Sequence, residues 1–187
     1  MTHNENEFQG FFADFYDMLH EGCGDAEQYV SMLGLCGNKI LELGSGTGRI
    51  VIPLAKAGFQ VTGIEFESDM ISLMEKKDYP RDRLHVVQAD ARHFSLDERF
   101  DVILLSCNFL NQVENDTIRR EEWKDGVLIR EACTEERLTW YYPREIRSLV
   151  REAGLRVDWE SSALCTKEDR PPISVDSENM IFCCKHT

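Results

Sequence analysis

Residues 39–50, K-I-L-E-L-G-S-G-T-G-R-I, constrain the fold more than any other stretch of the chain. A short apolar run, Ile40, Leu41 and Leu43, stops at Gly44, and Gly46 and Gly48 follow at alternate positions. This pattern predicts a buried strand running into a tight turn. Beyond the turn, Ile50, Val51, Leu54 and Ala55 recur at helical spacing until Gly58, so the backbone is delivered to a helix N-terminus. A ligand can lie there against bare main chain. A dinucleotide fingerprint wants its third glycine three residues after the second, where this chain has Arg49, and the Lys-Ser/Thr ending of a P-loop is absent. The glycines instead run G-x-G-x-G behind Glu42, which leaves phosphate binding the weaker reading and a purely structural turn the plain alternative.

The following strands sharpen the pattern. Residues 60–64, Q-V-T-G-I, end in Glu65, about twenty residues past the first glycine, where a doubly wound fold sets an acid against a ribose. A carboxylate there accepts hydrogen bonds from both ribose hydroxyls. Phe66 and Met70 offer flat apolar surfaces to an adenine ring. The bland role for Glu65 is to cap a helix beginning near Ser68, which Ser68 or Asp69 could do equally well. Residues 84–88, L-H-V-V-Q, form a third strand with Asp90 just past its end. Asp90 can accept from an adenine amino group while Ala91 offers its N–H to a ring nitrogen, or Asp90 can simply cap a turn. Residues 100–106 form a fourth strand, followed by Cys107, Asn108 and Asn111. Alternating strands and helices predict an α/β domain with a parallel sheet, and right-handed crossovers put the glycine loop and Glu65 on one carboxyl edge.

With these residues in view, the chain resembles the class I S-adenosylmethionine-dependent methyltransferases of the small-molecule type. E-L-G-S-G-T-G-R is similar to their first motif, I-E-F-E-S-D-M to the second, V-V-Q-A-D-A-R-H-F to the third, and F-D-V-I-L-L-S-C-N-F-L to the fourth strand and its loop. The resemblance covers residues 11–113, and W-Y-Y-P-R-E-I-R-S-L-V-R-E-A-G-L resembles the C-terminal part of the same enzymes. It implies a Rossmann-like, doubly wound, mostly parallel sheet with helices on both faces and antiparallel C-terminal strands. It also implies S-adenosyl-L-methionine as cofactor, bound by Tyr16, Glu42, Gly44, Gly46, Gly48, Arg49, Glu65, Phe66, Met70, Asp90, Ala91, Arg92 and Ser106. Tyr16 enters through a Tyr-Asp pair that acts as a lid in the resembling family, its tyrosine reaching the methionine end of the cofactor. The methyl group of that cofactor is already activated, so the protein's main task is to hold an acceptor in line, a kind of positioning that supplies roughly 7–11 kcal/mol of a barrier. His20 and His93 have suitable pKa for a base but read better as surface or capping residues, and no catalytic base is assigned.

The 187 residues suit one domain with a single sizeable core. We divide it into N-terminal helices and lid (1–37), cofactor-binding core (38–113) and shortened substrate side with C-terminal hairpin (114–187). No apolar run approaches a membrane span, and M-T-H-N-E-N-E lacks the form of a signal peptide, so the expected location is the cytosol. A net charge of −13 argues against a nucleic-acid partner and favours a small-molecule or basic one. Seven cysteines without a C-x-x-C pair read as free thiols, and five scattered histidines form no metal site.

Phe8, Phe11, Phe12, Phe15 and Leu19 form the apolar stripe of a first helix, and Asp25 is the expected N-cap of a second that runs to Gly34. After the fourth strand the chain departs from the family. Residues 107–116 are polar and too short for a parallel crossover. Residues 117–124, Asp125-Gly126 and residues 127–133 read instead as a hairpin with a D-G turn. Pro143 opens a helix that stops at Gly154, residues 155–159 and 179–184 are strands, and residues 167–172 form a loop. Trp140, Tyr141 and Tyr142 either line an acceptor pocket or belong to the core. Two functions follow: a small-molecule methyltransferase, or a cofactor-binding remnant or regulatory partner protein without an acceptor pocket. A homodimer in which a second copy supplies the missing strand fits the first.

Overall fold

The protein is described by a computed structural model covering residues 10–20, 24–34, 36–106, 116–124, 126–136, 142–164, 170–174, 177 and 180–186. Two helices precede the sheet, α1 (Gly10–Leu19) and α2 (Asp25–Leu33). Phe8 lies outside the described residues. Asp25 is not the N-cap of α2. Gly24 takes that place in the left-handed region, φ 67° and ψ 0°, which makes Asp25 the first helical residue. Its carboxylate stays in the first turn, where the helix dipole favours it, and pairs with Arg49 at 2.5 Å.

The sheet follows as β1 (Lys39–Leu43), α3 (Val51–Lys56), β2 (Gln60–Glu65), α4 (Ser68–Glu75), β3 (Leu84–Gln88) and β4 (Val102–Leu104). Its order is β3-β2-β1-β4, and every pairing is parallel. Val61 and Ile64 suit the pleat, and β2, with a strand on either side and α3 and α4 packed on it, is buried along all but its first residue. Register pairs Leu43 with Ile64 and Glu65 with Gln88, so the strand tips lie level along one edge. Between β1 and β4 the order reverses, which makes their carboxyl ends the switch point where such sheets bind ligands.

Strand β4 is shorter than the sequence predicts. Just before it, Asp101 N–H donates to the Lys39 carbonyl at 2.8 Å and its Oδ2 accepts from Asn38 N–H and Lys39 N–H at 2.9 Å each, clamping β4 to the start of β1. The core joins Leu33 of α2, Ile40 of β1, Val51 and Leu54 of α3, Val61 of β2, Met74 of α4, Leu84 of β3 and Leu104 of β4. Each such side chain, fully buried, contributes about 1.5–3 kcal/mol. Ile103 of β4 and Leu105 just past its end are 58% and 40% exposed.

The D-G turn predicts the next element correctly. β5 (Asp116–Lys124) and β6 (Val127–Glu136) pair antiparallel, with Lys124 opposite Val127 and Gly126 at φ 77°. Among the described residues the parallel sheet ends at β4, and this hairpin follows where a fifth parallel strand is due. Helix α5 (Pro143–Glu152) then leads to the antiparallel pair β7 (Leu155–Ser161) and β8 (Ile181–His186). Glu145 accepts from Tyr142 N–H at 2.7 Å to cap α5, and Arg147 binds Glu160 through two hydrogen bonds of 2.9 and 2.5 Å, fixing the helix to β7. Cys36, Cys183 and Cys184 are free thiols. Among the described residues no helix is long and apolar enough to cross a membrane.

Candidate functional site

The turn after β1 is sewn to the tip of β2. Gly44 N–H and Ser45 N–H both donate to the Ile64 carbonyl, at 2.9 and 3.0 Å. Gly44, Gly46 and Gly48 all have positive φ, 76°, 55° and 87°. Two of them do different work. A Cβ on Gly48 would stand 2.7 Å from Ile52 Cδ1 and 2.8 Å from Met74 Cγ, so this glycine lets the loop pack on its helices. The nearest atoms to a Cβ on Gly46 would be Met70 Cε at 3.5 Å and the Tyr16 ring at 3.9 Å, ordinary contact distances, so this glycine faces Met70 and Tyr16 without crowding.

Glu65, at the tip of β2, divides its carboxylate between the capping role and the glycine loop. Its Oε1 accepts from Phe66 N–H and Glu67 N–H at 2.9 Å each, closing the entrance to α4. Its Oε2 reaches across to Gly46 N–H at 2.7 Å. One acceptor position remains on that oxygen for a further donor. Asp69, the rival cap, instead accepts from Gly10 N–H at 2.8 Å and fixes the start of α1. Phe66 is 61% exposed beside this edge, while Met70 is 1% exposed beneath Gly46.

Glu42 and Ser106 meet at the switch point. Glu42 is 1% exposed near the end of β1, and Ser106 Oγ donates to its Oε1. Glu42 Oε2 is buried with no hydrogen-bond partner, as is Ser45 Oγ nearby in the chain. Burial pushes the Glu42 carboxyl up to about 7, against the lowering effects of the Ser106 hydrogen bond and the Arg49 charge, while Glu65 and Asp25 add to the rise. Arg49 thus stands between two acids, bound to Asp25 and acting on Glu42.

At the tip of β3, Asp90 is wrapped by Arg92. Its Oδ1 accepts from Arg92 N–H and Nε at 2.9 Å each, and its Oδ2 from Nη2 at 2.6 Å. The Arg92 side-chain bonds hold the carboxyl far below the usual range. The turn-capping role is therefore realised, and a ligand donor must share these oxygens with Arg92. Ala91, the other expected adenine contact, lies half-buried between them.

Tyr16 lies on α1, over the glycine loop, its ring 4.4 Å from the His20 ring, and His20 Nδ1–H donates to the Tyr16 carbonyl at 2.8 Å. The next residue, Asp17, accepts from Thr47 Oγ1 and pairs with Lys77 Nζ at 2.6 Å. Lys77 also donates to the Thr47 carbonyl at 2.8 Å. The structure thus joins Tyr16, Glu42, Gly44, Gly46, Gly48, Arg49, Glu65, Met70 and Ser106 around one loop, with Asp90 and Arg92 at the neighbouring tip. Sequence reasoning did not pair Asp17, Asp25 or Lys77 with the loop: Asp17 entered only as half of the Tyr-Asp pair, Asp25 only as a helix cap, and Lys77 carried no signal. Cys107, Asn108, Asn111, Trp140 and Tyr141 lie outside the described residues, and Tyr142 is exposed.

Residues 40–122 match the family described as "Methyltransferase domain". The Bacillus subtilis (strain 168) protein YqeM, which carries the name of a methyltransferase, is 34% identical over 147 residues, 73% of this chain and 59% of its own length. The cypemycin N-terminal methyltransferase of a Streptomyces species is 35% identical over 103 residues, 54% of this chain and 42% of its own length. The chain therefore spans about half the length of these two relatives. Among solved structures, the CcbJ methyltransferase from Streptomyces caelestis shares the fold, with a TM-score of 0.75 at 18% identity over 93% of this chain and 95% of that one.

Proposed function

Because the chain belongs to the class I S-adenosylmethionine-dependent methyltransferases, we propose that it binds S-adenosylmethionine along the carboxyl edge of its sheet and passes the methyl group to a small-molecule acceptor. The observation that carries this reading is the hydrogen bond from Gly46 N–H to Glu65 Oε2, which joins the bare loop and the strand-tip acid into one surface. The residues fit the cofactor. The partnerless Glu42 Oε2 suits an ammonium group, which relieves the cost of a buried acceptor left unmade. Glu65 retains an acceptor position for a ribose hydroxyl, Phe66 offers an exposed ring to adenine, and Asp90 with Ala91 stands at the adenine end. Tyr16 covers the loop from above and limits water at the methionine end.

When bound, the cofactor supplies an activated methyl group. The chain's own contribution is orientation, through a loop and two strand tips fixed beforehand by hydrogen bonds. A net charge of −13 favours a neutral or cationic acceptor, such as an amine, over a nucleic acid. The finer acceptor assignment rests on this charge and on relatives such as the cypemycin N-terminal methyltransferase.

One observation favours a second reading, a cofactor-binding protein without transfer: the antiparallel hairpin of β5 and β6 stands where the fifth parallel strand is due. Calorimetry with S-adenosylmethionine and its demethylated product, followed by a methyl-transfer assay on a panel of amines, tests both. Binding with transfer supports the enzyme, binding without transfer supports the second reading, and no binding overturns both.

A further inference from the structure

We propose that Lys77 is a positioning residue that latches α1 onto the glycine loop through Asp17 and so governs how fast the cofactor enters and leaves. The inference rests on the cofactor reading above, but Lys77 belongs to none of the motifs that support that reading. It lies just beyond α4, its backbone held by a hydrogen bond from its N–H to the Met74 carbonyl at 3.0 Å. From this fixed base its ammonium makes two contacts, Asp17 Oδ2 at 2.6 Å and the Thr47 carbonyl at 2.8 Å. The ring closes because the other Asp17 oxygen accepts from Thr47 Oγ1.

The position of Thr47 gives the ring its consequence. This residue is fully buried between Gly46 and Gly48, both at positive φ, in the loop whose Gly46 faces the Tyr16 ring. Asp17 directly follows Tyr16, whose ring stands over Gly46. One ammonium therefore sets both the direction of a loop carbonyl and the height of the tyrosine above the loop. The start of α1 is tied down separately, by Gly10 N–H on Asp69. Releasing the ring frees the end of the helix that carries Tyr16 while leaving its beginning attached. The Lys77 and Asp17 side chains are partly exposed, so the pair is open to screening by salt.

The test uses the full chain as wild type, Lys77→Met, Lys77→Arg, Asp17→Asn and the Lys77→Met/Asp17→Asn double variant. Two readouts are taken: release of labelled S-adenosylmethionine chased with unlabelled cofactor, and amide hydrogen exchange of α1 in the ligand-free protein. Lys77→Met and Asp17→Asn are expected to release cofactor about three- to tenfold faster. The double variant is expected to go no faster than either single one, because all three break the same ring. Lys77→Arg, which keeps the charge and the donors, should restore slow release, and the salt dependence of wild-type release should vanish in Lys77→Met. Exchange should quicken at residues 16–20 and not at residue 10. Wild-type release and α1 exchange in Lys77→Met overturn the latch while leaving the cofactor reading intact. Failure of the wild type to bind cofactor overturns both.

Discussion

Gly46 N–H donates to Glu65 Oε2 across 2.7 Å, joining the glycine loop to a strand tip nineteen residues further along the chain. The same carboxylate holds the two amides at the entrance to α4, so one side chain sets the spacing of the whole edge. That edge is arranged before a ligand arrives.

Glu65→Gln separates these duties. With its oxygen kept on Phe66 and Glu67, the amide nitrogen faces Gly46 N–H, donor against donor, and the loop comes loose. We expect cofactor affinity to fall about tenfold and stability by about 1–3 kcal/mol, with Glu65→Ala worse on both counts. Calorimetry and urea unfolding measure the two effects. Equal affinity in wild type and Glu65→Ala removes this carboxylate from the ribose site.

Glu42 makes stability depend on pH. Its folded pKa, raised by burial from 4.5 to about 7, lies above the unfolded value, so the native state holds more protons between them. Its contribution is complete below about pH 4.5 and is lost as pH climbs through about 7, on the order of 3 kcal/mol in all. Glu42→Gln keeps the shape without the titration. Urea unfolding of the two proteins should therefore shift in favour of the variant as pH rises, and parallel curves would falsify the buried acid.

Gly48→Ala meets two penalties together, a positive φ of 87° and contacts of 2.7–2.9 Å with Ile52 and Met74. Gly58→Ala meets only the first, since nothing lies within 4 Å of its Cβ. The Gly48 variant should lose about 2–4 kcal/mol and the Gly58 variant about 1–2 kcal/mol. Thermal melts rank them, and the reverse order contradicts the packing described for the loop.

Asp90 should act at the adenine end. Asp90→Ala is expected to weaken cofactor binding about tenfold while costing little stability, because its Arg92 partner is largely exposed. A cofactor analogue lacking the 6-amino group separates the causes: wild type should discriminate against it, and Asp90→Ala should not. Equal discrimination in both proteins shows that Asp90 only caps its turn.

What the sequence made legible was local. The strands ending in Leu43, Glu65 and Gln88 were marked by apolar runs cut off by glycine or acid, and the hairpin by Asp125-Gly126. The capping of α2 misled because Gly24, which has no side chain to bond with, was free to take the left-handed turn, while Asp25 was drawn to Arg49. The clamp at the start of β4 depends on Asp101 finding two amides more than sixty residues earlier. Lys77 was silent for the same reason: its partners, Asp17 and Thr47, become neighbours only after the sheet has formed, and no periodicity records such a meeting.

Strand β4, last in the parallel sheet among the described residues, and the residue just beyond it turn Ile103 and Leu105 toward water. Oily side chains beside a strand edge govern colloidal behaviour more than folding, because they cost the isolated molecule little and reward crowding. Concentrated solutions should therefore scatter light well below the melting temperature. Ile103→Lys should clear them while leaving the melting temperature unchanged.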